Sequence, residues 1–219
     1  WKYLMKLELQ LRILSSIFLL PISFYFVIKG SFFFNLLLAI CFLISLYEWY
    51  LMSKKKPYFI YGIIYLPISF YLVYLLRNFN SCCNLDDPGL HFFLIVIITC
   101  VSTDLGGYIF GKVFKGPKLT KISPNKTYSG VLGSFILSIA FTSLLLQNSF
   151  FLIKISFDLI IFIVLISLVS QIGDIIISYF KRLSKIKNTG KFIPGHGGVF
   201  DRFDSFLFSI IFYSISIIN

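Results

Sequence analysis

The sequence predicts an all-α, polytopic integral membrane bundle of about seven transmembrane helices, six to nine being compatible with the hydropathy, with the N-terminus in the cytoplasm. Three observations carry this. Of 219 residues, 58% are apolar and 13% charged, too little polar surface to cover a water-soluble globule of this size. Apolar runs of about 18 to 22 residues recur, each long enough at about 1.5 Å per residue to cross about 30 Å of hydrocarbon. Lys and Arg gather in alternate loops.

The apolar runs place helices near 11–29, 31–51, 57–76, 90–111, 129–147, 150–180 and 203–218. The first is expected to remain as a span, because no small-residue cleavage site follows it and a second run begins almost at once. The chain opens on Trp1 and not on Met, so a few residues upstream of it are expected. The sixth run is overlong and the last is short. All are read as one membrane-embedded domain, 1–219. Within it, 1–89 supplies N-terminal helices, and 90–219 forms a catalytic membrane region with cytoplasmic loops at 112–128 and 181–202.

Positive charge is retained on the cytoplasmic side of a membrane. With the N-terminus inside, the inner segments hold Lys2, Lys6 and Arg12, then Lys54 to Lys56, then Lys112, Lys115, Lys118, Lys121 and Lys126. The last inner segment holds Lys181, Arg182, Lys185, Lys187, Lys191 and Arg202, so that of 20 Lys and Arg residues Lys29, Arg77 and Lys154 alone fall outside. Adding or dropping one internal helix would scramble that split. The net charge of +11 therefore reads mostly as topology and attraction to anionic headgroups. Nucleic acid is not expected as a partner, because the basic residues lie beside membrane spans. Cys41, Cys82, Cys83 and Cys100 show no C-x-x-C or Cys/His spacing of a zinc site.

The nine acidic residues say more. Glu8, Glu48, Asp86 and Asp87 fall at span ends or in loops, where water can solvate them, and Asp158 lies near the outer end of its span; none is assigned a role. Asp104 and Asp174 lie in the inner parts of spans, where a carboxylate costs about 2.5–3.5 kcal/mol at mid-bilayer. Such a group faces a polar cavity or a cation. In "GDIIISYFKR" Asp174, Ser178 and Lys181 share one helix face at i, i+4 and i+7. In "DRFDS" Asp201 and Asp204 share a face at i and i+3. Brought together, these faces would converge at least three carboxylates, which repel unless protonated or bridged by a cation such as Mg²⁺. The plainer alternative is that Asp201 and Asp204 cap the last helix.

Between those faces lies "PGHGG", Pro194 to Gly198, whose glycines allow close backbone approach to an anion, amid Lys181, Arg182, Lys187, Lys191 and Arg202. Carboxylates for a metal beside glycines and cations for phosphates are the parts of phosphoryl or nucleotidyl transfer. The other cytoplasmic loop, "TDLGGYIFGKVFKGPKLTKISPNKTYSG", repeats the theme without the spacing of a Walker A loop. Its Ser123, Lys126 and Thr127 can donate to phosphate oxygens from the mouth of the next helix.

The stretch S-Y-F-K-R, K-N, P-G-H-G-G-V-F-D-R-F-D resembles the signature of the phosphatidate cytidylyltransferases, membrane enzymes that make CDP-diacylglycerol. "TDLGGY" and "ISPNKTYSG" look like that family's central loop, and "LRILSSIFLLP" with "YEWYLM" like its opening spans, so the likeness covers nearly the whole chain. The resemblance implies that Asp174 and Asp201 ligand the metal, Mg²⁺ with room for a second cation. It implies substrate-facing roles for Lys181, Arg182, His196 and Arg202, and phosphate contacts for Ser123, Lys126 and Thr127. Lys187, Gly197, Gly198 and Asp204 join the substrate-binding set. The chain departs from the family pattern at Asn188, where that pattern has Asp, and at Tyr128 and Ser129, where it has Trp-Glu.

The implied reaction joins CTP and phosphatidate to give CDP-diacylglycerol and pyrophosphate at the cytoplasmic face of a bacterial-type inner membrane, with a homodimer left open. Two other classes fit the residues. A CTP-dependent lipid kinase of the polyprenol or dolichol type would release CDP and a phosphorylated lipid. An ion-coupled transporter would use Asp104 and Asp174 as ion ligands.

Overall fold

Among its described residues the chain forms seven α-helices where the apolar runs lie: α1 (Lys2–Lys29), α2 (Ser31–Ser53), α3 (Phe59–Arg77), α4 (Pro88–Phe114), α5 (Tyr128–Leu146), α6 (Phe157–Leu183) and α7 (Phe200–Ile218). A computed structural model describes residues 2–79, 87–120, 123, 126–147, 156–190, 192–193, 195 and 197–218. The start of the sixth predicted span, 150–155, lies outside the described residues. Two isolated antiparallel bridges, Lys118 with Thr127 and Ile193 with Gly197, close the polar loops.

Five helices, α2 to α6, are long and apolar enough to cross a membrane by length and composition, and α1 adds a shorter apolar segment, Leu14–Lys29. Large apolar side chains cover the outside of these helices, Phe32 being 71% and Leu20 67% exposed. An apolar surface of this extent suits lipid and not water. The protein is an integral membrane protein.

The chain divides into two compact units, one of residues 1–78 with 181–203 and one of 79–180 with 204–219. In the first, α2 packs on both α1 and α3. Gly62 of α3 meets the Trp49 ring so closely that a Cβ there would fall 1.9 Å from its Cε2, and Trp49 Nε1 donates to Phe59 O at 3.0 Å. Buried Arg77 donates from Nε to Val27 O at 3.1 Å, satisfying a carbonyl of the last turn of α1 that has no partner within its own helix.

The second unit is built on α4 and α5, which pack along most of their length. Lipid gives helices no hydrophobic reason to associate, so close contact depends on small residues and interhelical hydrogen bonds. Both are present. A Cβ on Gly106 would sit 2.4 Å from Gly133 O, and one on Gly133 2.2 Å from the Phe110 ring. Ser134 Oγ donates to Thr103 O at 2.7 Å, Thr103 Oγ1 to Ser167 Oγ of α6 at 2.8 Å, and Thr99 and Thr142 hydroxyls meet at 3.2 Å. Gly106→Ala is expected to destabilise the detergent-solubilised protein by about 1–3 kcal/mol, the usual cost of over-packing. Gly107→Ala, whose Cβ would meet the movable Ser134 hydroxyl at 3.0 Å, should cost less; the folded fraction left after a heating series compares them.

Helix α1 extends the first predicted span back from 11 to Lys2, and most other starts shift by one to three residues; two of these shifts have a cause in specific hydrogen bonds. Helix α4 begins at Pro88, because Asp87 Oδ1 accepts from Leu90 N at 3.0 Å and Pro88 occupies the first turn. Asp87 thus caps a helix where the sequence suggested a solvated loop residue. Helix α7 begins at Phe200 and not 203, for a reason found in α2 and described next.

Candidate active site

Two constellations hold the predicted residues, one in each unit. In the second unit the chain leaves α4 through Lys115 and Gly116, both at positive φ, and returns so that Leu119 N donates to Lys126 O at 2.8 Å and Tyr128 N to Pro117 O at 3.2 Å. The two limbs of the loop are thereby zipped together. Thr127 has extended backbone and its Oγ1 accepts from Gly130 N at 3.1 Å, an N-cap for α5. The Ser129 hydroxyl ties the same corner to Lys115 O.

This frame aims Lys126 across at α6. Its ammonium lies 2.5 Å from Asp174 Oδ2 and 3.4 Å from Gln171 O. Asp174 Oδ1 accepts from Ser178 at 3.3 Å, the i to i+4 relation expected of one helix face. Thr103, Asp104, Ser123, Lys126, Thr127, Gln171 and Asp174 are among the residues lining one cavity of about 240 Å³. Ser123, Lys126, Thr127 and Asp174 are therefore brought together. Asp104 joins them, a carboxylate the sequence marked as costly without giving it a place in the site.

In the first unit the loop after α6 folds around two carboxylates. Ile193 and Gly197 exchange both backbone hydrogen bonds, at 3.0 and 3.1 Å, and Gly195 and Gly197 take φ of 76° and 93°, a region glycine enters without strain. Asp201, in the first turn of α7, accepts at Oδ2 from Thr189 N at 2.9 Å and Gly198 N at 3.2 Å. Its Oδ1 meets the Lys181 ammonium at 3.1 Å, the two side chains being 9% and 10% exposed. Reaching back to Gly198 is what the acidic member of a capping box does, so the capping alternative is realised in part, with an ion pair added.

Glu48 of α2 is fully buried. Its carboxylate accepts from Val199 N at 3.0 Å, Phe200 N at 2.9 Å and Thr189 Oγ1 at 3.0 Å. These amides open α7 and need partners from outside their helix, which is why α7 starts three residues early. The solvated end-of-span role read for Glu48 is thus overturned. The available signal was a lone carboxylate beside Trp49 in an otherwise apolar run, matched by small residues at Thr189, Gly190 and Gly198.

Other predicted residues have different surroundings. The N–H groups of Gly197 and Gly198 are bonded to Ile193 O and Asp201, so they build the loop and do not point at a free anion. Arg182 donates from its guanidinium to Ile186 O at 3.0 Å, and Lys187 and Arg202 are exposed on the first unit. Asp204 is buried and accepts from Ser205 N at 2.8 Å. His196 lies outside the described residues. Asn188 lies against Gly197 beside Asp201: a Cβ on Gly197 would be 3.2 Å from its Nδ2 and 3.3 Å from Asp201 Oδ2. Among the described residues no three or more His, Cys, Asp or Glu side chains gather to hold a metal. The carboxylates instead meet ammonium, hydroxyl and amide donors.

The characteristic pattern of the cytidylyltransferase family matches residues 63–218. The chain belongs to that family. It is 36% identical over 230 residues to the phosphatidate cytidylyltransferase of Rickettsia felis, covering 97% of this chain and 94% of that one. It is 37% identical to the enzyme of that name from Rickettsia bellii, over 95% of this chain and 91% of the relative. With the one from Staphylococcus saprophyticus it shares 38% identity over 72% of this chain and 57% of the relative. In this cytidylyltransferase the matched region takes in both constellations apart from Glu48.

Proposed function

We propose that this cytidylyltransferase transfers the cytidylyl group of CTP to phosphatidate, giving CDP-diacylglycerol and pyrophosphate for phospholipid synthesis. The observation that carries the reading is the Lys126–Asp174 pair facing a cavity lined with hydroxyl and carboxylate oxygens, in a chain of this family. A phosphate oxygen of the lipid attacks the α-phosphorus of CTP; the new P–O bond forms as the bond to the β-phosphate oxygen breaks and pyrophosphate leaves. The phosphomonoester is anionic near neutrality, so little base catalysis is needed. The obstacle is bringing two polyanions together.

Lys126 and Lys181, with Arg182, Lys187 and Arg202, supply the positive charge, while Ser123 and Thr127 donate hydroxyl hydrogen bonds. His196 and Asp204 belong to the same set, and Gly197 and Gly198 shape the loop that bears Asp201. Carboxylate oxygens of this kind suit Mg²⁺, and a second cation belongs to the same proposal. Asp174 offers a part-exposed carboxylate beside Asp104, and Asp201 offers hard oxygens now shared with Lys181. Asp174 in its unit and Asp201 in its own are each the candidate carboxylate ligand there, and the chemistry a bound cation would supply is charge neutralisation on the triphosphate.

The loops face the cytoplasm of a bacterial-type inner membrane on the charge distribution of the sequence, so CTP arrives from water and phosphatidate from the inner leaflet. The reading holds for one chain or a homodimer alike. Membranes containing the protein, given cytosine-labelled CTP, phosphatidate and Mg²⁺, are expected to place the label in the lipid phase and release pyrophosphate, and not to do so without Mg²⁺. Soluble labelled CDP with a newly phosphorylated lipid would show a lipid kinase instead.

A further inference from the structure

Glu48 has no place in the chemistry just described, yet the loop bearing Asp201 is built around it. It is 0% exposed, and a carboxylate taken out of water must have its hydration replaced by hydrogen bonds. Val199 N, Phe200 N and Thr189 Oγ1 do this at 2.9–3.0 Å, helped by the positive end of the α7 dipole. The backbone closes in as far as side chains allow. A Cβ on Gly190 would fall 2.3 Å from Glu48 Oε1, and one on Gly198 2.5 Å from Oε2. The local sequence "GGVF" has no Ser, Thr, Asp or Asn to cap α7; the cap comes from another helix.

The same two loop residues touch both carboxylates. Thr189 gives its hydroxyl to Glu48 and its N–H to Asp201; Gly198 lies against Glu48 and gives its N–H to Asp201. Asp201 Oδ2 is thereby fixed and Oδ1 is presented to Lys181. We infer that Glu48 is a positioning residue for the nucleotide: acting through Thr189 and Gly198, it holds the Asp201–Lys181 pair in the geometry that binds CTP. This rests on the cytidylyltransferase reading above. An apolar side chain at position 48 would fill the volume but leave two amides and a hydroxyl unpaired.

Glu48→Gln is isosteric but has one acceptor oxygen for three donors. Its kcat/KM for CTP is expected to fall about 10- to 100-fold, the scale on which supporting partners of a charged site act, while KM for phosphatidate stays within about twofold. Thr189→Ser should keep the wild-type rate, Thr189→Val should fall toward Glu48→Gln, and the double variant E48Q/T189V should be no worse than E48Q, since both act through one contact. Trypsin should cut E48Q membranes at Lys185 and Lys187 faster than wild type, with cutting at Lys112 and Lys115 unchanged. An unchanged KM for CTP in E48Q, or the two KM values rising together, overturns the inference. If the wild type makes no CDP-diacylglycerol the proposed reaction falls by itself; the tryptic comparison then decides the loop-holding role, equal cutting at Lys185 and Lys187 in both proteins overturning it.

Discussion

Asp174→Asn is expected to cut CDP-diacylglycerol synthesis at least about 100-fold, or about 2.7 kcal/mol of transition-state stabilisation, with the amount of folded protein in the membrane unchanged. The exposure of the pair decides this. Lys126 and Asp174 are 26% and 30% exposed, and ion pairs open to solvent contribute only about 0–1 kcal/mol to stability. The asparagine oxygen can still accept from Ser178, so the helix face keeps its local bond. What disappears is one of the two carboxylates lining the cavity, Asp104 remaining, and it is the one proposed as cation ligand. Lys126→Met should raise KM for CTP. Rates with labelled CTP, normalised to protein in the membrane, make the comparison; a D174N rate near wild type would remove Asp174 from the site.

Asp201→Asn should behave differently, losing both activity and folded protein. Its partner Lys181 is 10% exposed, and stranding one member of a buried pair costs about 3–5 kcal/mol. The new amide would also turn an N–H donor toward Lys181 or toward the amides of Thr189 and Gly198. A second variant separates the two effects. K181M/D201N removes both charges of the pair, so its folded fraction should recover most of the way to wild type while synthesis stays at the D201N level. Recovery of activity along with folding would show that Asp201 only supports the loop.

The helices were legible in the sequence because lipid imposes a requirement that every span shows on its own: a long apolar run. Their ends were less so. Helix α7 starts early because Glu48, from a different helix, satisfies its first amides, and no local pattern records that. The family signature pointed to Asp174, Lys126, Lys181 and Asp201 one by one. That an ammonium already occupies each carboxylate depends on how α6 lies against the α4–α5 loop and on how the glycine loop folds back, and hydropathy fixes neither. The flexibility of Gly197 and Gly198 in the sequence suggests an anion cradle. Their N–H groups go to Ile193 and Asp201, and the positive φ of Gly197 serves the turn itself.

The glycine seam between α4 and α5 has a kinetic consequence. With Gly106 against Gly133 O and Gly130 against Gly107 O, the two helices have no slack at the base of the loop that carries Lys126. A hinge there would have to part packed backbone, a slow collective motion on the microsecond-to-millisecond scale. Side-chain rotation at a partly exposed lysine takes picoseconds to nanoseconds. Rearrangement of the Lys126–Asp174 pair is therefore expected to be far faster than any movement of the loop's base.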